Sequence, residues 1–218
     1  MSDRFLTARV IYAVQSERME LEIHPLTPER LPDLAALFGQ GGDPKWCWCA
    51  YYRLRGMDFS TATTASNREV LERAVETTAA AGRAPGLLAY RDGEPLGWVS
   101  VGPRDDYERL RHSKVLAPID ERPVWSIVCF VVARKARKQG IANALLDAAV
   151  AYAREHGATL LEGYPVDTAS GRVGAASAYK GTVGMFERAG FKIAARRRAN
   201  QASAPRPIVR RSVRPLRR

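Results

Sequence analysis

Cysteine is scarce in this sequence, long apolar runs are missing, and the last stretch of chain carries no acid. The three cysteines, Cys47, Cys49 and Cys129, are too few for a disulfide framework, and their odd number suits a reducing cytosol. Cys47-x-Cys49 without a second ligand pair is a poor zinc signature, so the three read as buried thiols and no metal is expected. No apolar run reaches the roughly 20 residues of a membrane helix, which points to a cytoplasmic protein without a membrane partner. Residues 5–14 have some signal-peptide flavour, but Arg9 interrupts them and no small-residue cleavage site follows. Residues 1–18 are read as an appendage with room for one extra strand, and Met19 as an alternative start. Also absent are Gly-x-x-x-x-Gly-Lys-Ser/Thr and Gly-x-Gly-x-x-Gly, which disfavours nucleoside triphosphates and dinucleotides.

What is present fits one domain over residues 19–218. A chain of 218 residues, 46% hydrophobic and 26% charged, can bury a substantial core, while two full domains would be cramped. The net charge of +11 is uneven. Residues 196–218 hold nine arginines, and removing them from the 34 basic residues leaves 25 against 23 acids. The basicity belongs to the C-terminal segment 191–218, where it suits nucleic acid, an acidic substrate or cofactor phosphates, or forms a solvated strand face.

Periodicity orders the chain. Residues 19–24 alternate like a strand. Thr27, Pro28 and Glu29 read as a helix start, Leu31, Leu34 and Phe38 as its stripe, with the regular part delayed by Pro32. Residues 41–44 break it. Ser66 and Glu69 form a capping-box pattern for a second helix, ended by Gly82. Strands over 87–90 and 96–101 flank Asp92-Gly93, a strong hairpin signal. Residues 124–132 are an apolar, β-branched run, as in a strand buried on both faces. A helix over about 139–156 shows Ile141, Leu145, Ala148, Ala149 and Tyr152 on one face. A strand over 159–163, a helix over 178–189 and two last strands over 191–194 and 207–213 complete the order. Hairpins at both ends surround one strand–helix–strand unit, an α/β pattern favouring a mixed sheet with helices on its faces.

The turn from Val132 to Ala142 is the informative segment. It joins the buried strand to the amphipathic helix, presenting free amides and the positive end of the helix dipole. Gly140 lets backbone approach a ligand, and Arg134, Lys135, Arg137 and Lys138 add charge. Cations at a helix start oppose its dipole by about 0.3–1 kcal/mol each, so their clustering points to an anionic ligand such as a pyrophosphate. Arg137-x-x-Gly140-x-Ala142 resembles the Arg/Gln-x-x-Gly-x-Gly/Ala signature of GCN5-related (GNAT) N-acetyltransferases. The element order looks like that fold, and residues 185–191, Met-Phe-Glu-Arg-Ala-Gly-Phe, resemble the family's Leu-Tyr-Glu-Lys-Leu-Gly-Phe segment.

The resemblance implies a mixed, mostly antiparallel sheet with a central parallel strand pair, flanked by helices. It implies acetyl-coenzyme A as acyl donor: main-chain groups of Phe130, Val131 and Val132 along the pantetheine arm, where this strand splays from the one at Leu160. Arg137, Lys138, Gln139, Gly140, Ile141 and Ala142 would hold the pyrophosphate. An amine would attack the thioester directly in a ternary complex. The family's frequent catalytic tyrosine position is Phe186 here. Tyr179, seven residues earlier, returns to nearly the same helix face and is the candidate acid or cofactor contact, its other reading being a packed aromatic. Ser126 stands where some members carry a glutamate. Glu162 and Asp167, near the end of the parallel strand, are candidate proton acceptors, or simply solvent-facing acids.

The family forms its acceptor pocket between the first two helices and at the last hairpin. Trp46, Trp48 and Tyr51, in a polar loop, would line a site for a flat or apolar amine, or else plug the sheet. Acetylation of a small-molecule primary amine is the leading expectation. Acylation of a macromolecule such as an aminoacyl-tRNA or a protein amine, and a non-catalytic module that only binds coenzyme A, are the alternatives. A homodimer is left open.

Overall fold

In the structure, a computed structural model, residues 21–168, 179–201 and 203–214 are described; the expected appendage over 1–18, and Met19, lie outside them. Seven strands build one sheet: β1 (Glu22–Pro25), β2 (Gly86–Arg91), β3 (Glu94–Pro103), β4 (Trp125–Val132), β5 (Leu160–Gly163), β6 (Lys192–Arg197) and β7 (Arg206–Ser212). Their order is β1-β2-β3-β4-β5-β7-β6, and only β4 and β5 run parallel. This is the mixed, mostly antiparallel sheet with one central parallel pair that the pattern and the resemblance predict. The β2–β3 hairpin turns through Asp92 (φ 51°) and Gly93 (φ 76°), the left-handed pair that an Asp-Gly turn favours.

Helices cover both faces. On one lies α6 (Ile141–Glu155), whose Ile141, Leu145, Ala148, Ala149 and Tyr152 are buried as their spacing requires. A Cβ on Gly97 would sit 2.7 Å from the Ile141 side chain, so β3 needs a glycine where the helix leans on it. The neighbouring Trp98 faces the other way, its ring 6.5 Å from that of Phe38 on α1 (Leu31–Gly39). Thr27 precedes a single-turn 3₁₀ helix over Pro28–Arg30 and makes no capping bond, so α1 proper starts at Leu31 with Pro32 in its first turn.

Three local expectations need correction. The stretch read as a polar loop holds α2 (Asp43–Cys47), a 3₁₀ turn over Ala50–Tyr52 and α3 (Gly56–Thr61). The next helix, α4 (Thr64–Ala80), is capped by Thr63 rather than Ser66: Ser66 N donates to Thr63 Oγ1 at 3.1 Å and Thr63 N to Ser66 Oγ at 2.9 Å. After a short α5 (Glu108–His112), the last helix, α7, spans only Val183–Arg188. Thr182 caps it, and Gly181 (φ 71°) breaks the chain before it, so Tyr179 is not on that helix.

The arginine-rich end is largely tied into the fold. Arg196 pairs with Asp167, and Arg197 donates to the carbonyls of Ala117 and Pro118. Arg198 donates to the carbonyls of Gln201 and Ser203, and Arg211 to that of Ala189. Arg210 is buried on Glu162 and Asp120, and Arg217 and Arg218 lie outside the described residues.

Candidate functional site

The site begins where the parallel pair opens. β4 and β5 pair only from Trp125↔Leu161 to Ile127↔Gly163, so among the described residues strand β4 has, past Ile127, a partner on the β3 side alone. Ala133 N donates to Leu96 O on that side at 2.9 Å. Strand alternation then turns Val131 toward β3 and leaves the main-chain groups of Phe130 and Val132 facing the opening. Phe130 and Val132 line the groove there, about 570 Å³, whereas Val131 does not and is buried in the core. This corrects the expected trio to two.

Beyond β4 the loop narrows onto the start of α6. Its backbone is left-handed at Lys138 (φ 62°) and Gly140 (φ 82°), an alternation of hand that gathers amides on one side. Among the described residues, the amides of Lys138, Gln139, Gly140, Ile141 and Ala142 make no hydrogen bond, and no side chain caps the helix. Arg137, Lys138, Gly140, Ile141 and Ala142 line the groove with Asn143. The Gln139 side chain does not; it bridges Arg91 and Lys135 on the outer surface. Lys135 pairs with Glu94, while Arg134, Arg137 and Lys138 have no carboxylate partner among the described residues. Free amides and uncompensated cations are a fit for a pyrophosphate.

A second cavity of about 410 Å³ adjoins the first. Its walls are Pro44, Trp46, Cys47 and Cys49 from the α2 region, Tyr51, Tyr52 and Phe59 from the following turns, and Val128 and Cys129 of β4. Trp46 and Tyr51 thus both stand in the cavity wall. Trp48 does not: it is buried against Phe38, ring centroids 5.5 Å apart, with Arg68 stacked on it, and plugs the sheet. The thiols pack among these groups, with Cys49 Sγ 3.1 Å from Cys129 Sγ and Trp98 Nε1 donating to Cys49. Burial pushes the Cys47 thiol up to about 12 and Cys129 well above the thiol range, where the contact with Cys49 is the leading cause, so neither is a ready nucleophile.

Tyr179 lines both the groove and the cavity. A Cβ on Gly42 would stand 3.0 Å from its Oη, so a glycine admits the phenol beside Asp43. Burial and the Asp43 carboxylate raise its pKa, and Arg137 pulls the other way. Phe186 cannot take part. It is fully buried, its ring against Phe191 (5.0 Å) and Phe130 (6.1 Å), and a Cβ on Gly163 would meet it at 2.4 Å.

Glu162, the other candidate, is 0% exposed and away from both spaces. Its Oε1 accepts from Arg104 Nη1 (2.9 Å) and the Tyr164 hydroxyl (2.7 Å), and its Oε2 from Arg210 Nε (2.7 Å). A carboxylate held by two guanidinium groups is a structural ion-pair centre, which corrects its reading as a proton acceptor. Asp167 is bound to Arg196, and His112 to Glu108 on the surface. Two charged groups that sequence reasoning passed over do line the cavity, Asp43 and Lys180. Asp43 lay hidden in the Gly-Gly-Asp-Pro break, and Lys180 in a stretch read as helix.

A family model described as Acetyltransferase (GNAT) family matches residues 48–191. Among curated proteins, none matches the sequence. Solved structures of similar shape include an acetyltransferase of the GNAT family from Streptococcus pneumoniae, 16% identical, covering 89% of this chain and 99% of that one with a TM-score of 0.51. A PaiA N-acetyltransferase from Thermoplasma acidophilum, in complex with coenzyme A, is 14% identical, with coverage of 89% and 100% and a TM-score of 0.51. A ribosomal-protein-alanine N-acetyltransferase from Brucella melitensis is 19% identical, with coverage of 88% and 99% and a TM-score of 0.52. At such identities the likeness concerns the fold.

Proposed function

Because this chain belongs to the GNAT acetyltransferase family, we propose that it transfers an acetyl group from acetyl-coenzyme A to the primary amine of a small molecule by direct attack in a ternary complex. The observation that carries the proposal is the meeting of groove and cavity at one phenol, Tyr179. When bound, acetyl-coenzyme A supplies a thioester already activated toward an amine. The unpartnered amides of residues 138–142, with Arg137 and Lys138, would hold its pyrophosphate. Phe130 and Val132 would align its amide-bearing arm as a neighbouring strand does.

The remaining work falls to side chains around the junction. Trp46, Tyr51 and Phe59 exclude water and favour the neutral amine over the ammonium. Asp43 accepts the proton that the amine loses, directly or through water. Tyr179 holds a proton at Oη for the departing sulfur. Its raised pKa keeps it protonated at neutral pH, though above the roughly 8.5 of a thiol; the Arg137 charge narrows that gap. A small acceptor is favoured over nucleic acid because most described arginines of residues 196–214 are bonded within the fold.

Thermal melting tests the premise. Coenzyme A at a hundred times its dissociation constant stabilises a fold by about 2.7 kcal/mol, a rise of roughly 5–10 °C for a domain of this size. A flat response overturns the assignment. Thiol release from acetyl-coenzyme A across a panel of amines tests catalysis, and silence across the panel leaves only the binding module.

A further inference from the structure

Two charged side chains stand in the otherwise apolar lining of the 410 Å³ cavity, Asp43 and Lys180. Lys180 is the anomaly. Among the described residues it makes no hydrogen bond and no ion pair. Residues 169–178, which lead into it, contain no acidic side chain. Its surroundings are cationic instead. Burial, then the charge of Arg206, lower the pKa of Lys180, and Arg109 acts in the same direction. Arg109 cannot swing away, because its Nε donates to Tyr51 O at 2.5 Å and its guanidinium lies 4.0 Å from the Tyr51 ring centroid. A partly desolvated ammonium beside two like charges is unfavourable unless an anion joins it.

The opposite charge sits elsewhere in the same cavity. Asp43 stands beside the Tyr179 phenol, and its carboxylate raises the pKa of both Tyr179 and Cys47. The cavity is thus negative at the junction with the groove and positive around Lys180, beside Cys129. The rings of Trp46, Tyr51 and Phe59 line the same cavity, packed edge to face at 4.8 and 5.2 Å around Phe59.

We infer that the acceptor is an amino carboxylate with an aromatic or bulky apolar body, its amine facing Asp43 and Tyr179 and its carboxylate bound by Lys180. The inference rests on the acetyl-transfer reading of this site and adds the substrate class. A free carboxylate is what the lysine selects. An amine lacking it, or the same molecule as an amide, as at the N-terminus of a peptide, leaves the ammonium without a partner.

Isothermal titration of the full chain, with and without saturating coenzyme A, separates these cases. Three probes share one phenyl body: phenylalanine, phenylalaninamide and phenethylamine. Phenylalanine binds at least about tenfold more tightly than the other two, the discrimination expected of one charge-assisted hydrogen bond. Lys180→Met brings the ratios near one, and Lys180→Arg restores most of the preference. Equal affinity for acid and amide, preference for the plain amine, a ratio untouched by Lys180→Met, or no binding by any probe each overturns the inference. The coenzyme A titration itself decides the acetyl-transfer reading, and the probes titrated without it keep the two failures apart.

Discussion

Glu162→Gln isolates what the buried ion-pair centre does. Glu162 is 0% exposed, with Arg104 at 8% and Arg210 at 9%. Arg104 also donates to Leu110 O (2.8 Å) and Leu116 O (2.5 Å), so the centre ties the chain between β3 and β4 to β5. Arg210 reaches Asp120 as well, at 2.7 Å. Glu162 thus holds two guanidinium groups, while Asp120 holds Arg210 together with Arg122. The amide removes one negative charge without changing shape, which leaves Arg104 with no carboxylate among the described residues and Arg210 sharing Asp120 with Arg122. Breaking a buried pair in this way costs about 3–5 kcal/mol, and at about 2–4 °C per kcal/mol the melting temperature falls on the order of 10 °C. Calorimetric melting of wild type and variant reads this directly. The double variant Glu162→Gln/Arg210→Met, which removes one of the two cations facing the amide, recovers part of the loss. An unchanged melting temperature with collapsed turnover would refute the structural reading and return Glu162 to the chemistry.

Tyr179→Phe lowers kcat by about 100-fold, within the usual range for a general acid, while coenzyme A affinity stays within about twofold; equal rates remove the phenol from the mechanism. Gly140→Ala meets no atom within 4 Å but must hold φ 82°, a strain of about 1–2 kcal/mol. It melts a few degrees lower and binds coenzyme A more weakly, and unchanged affinity would detach the loop from the ligand. Lys180→Met melts higher than wild type in the ligand-free state near neutral pH. The sign follows from a folded-state pKa below the unfolded value of about 10.4. The unfolded chain binds the extra proton, so the penalty on wild type is full below the folded pKa and fades as pH rises toward the unfolded one. Melting both proteins across that range checks it, and a variant less stable throughout would contradict it.

The backbone frame was legible because its signals are local. Asp92-Gly93 dictates its own turn, the unbroken apolar run of β4 reports burial on both faces, and the spacing of Ile141, Leu145 and Ala149 sets the buried side of α6. The charged loop at Arg137 was legible for the same reason. Side-chain direction around the cavity was not. Trp48 (φ 45°) and Cys49 (φ 54°) are left-handed without being glycine, so the chain turns where no turn residue announces it. That turn sends Trp46 into the cavity and Trp48 into the core. Tyr179 was placed on the wrong element because the break lies at Gly181, and sequence spacing alone cannot say that a helix starts two residues later. Glu162 looked like an exposed acid at a strand end because its partners, Arg104 and Arg210, are distant in sequence and meet only in the folded sheet.

Past Ile127 the parallel ladder stops while β4 continues for five residues more. A strand edge of this kind offers donors and acceptors at fixed intervals, whatever side chains sit above and below it. An elongated guest laid along it is read by its own amides, and the sheet gains something like another rung. Recognition of that sort is indifferent to most aliphatic exchanges, so Val→Ile changes along this edge should drift freely. The shape of the opening, rather than any one side chain, is then what a lineage must keep.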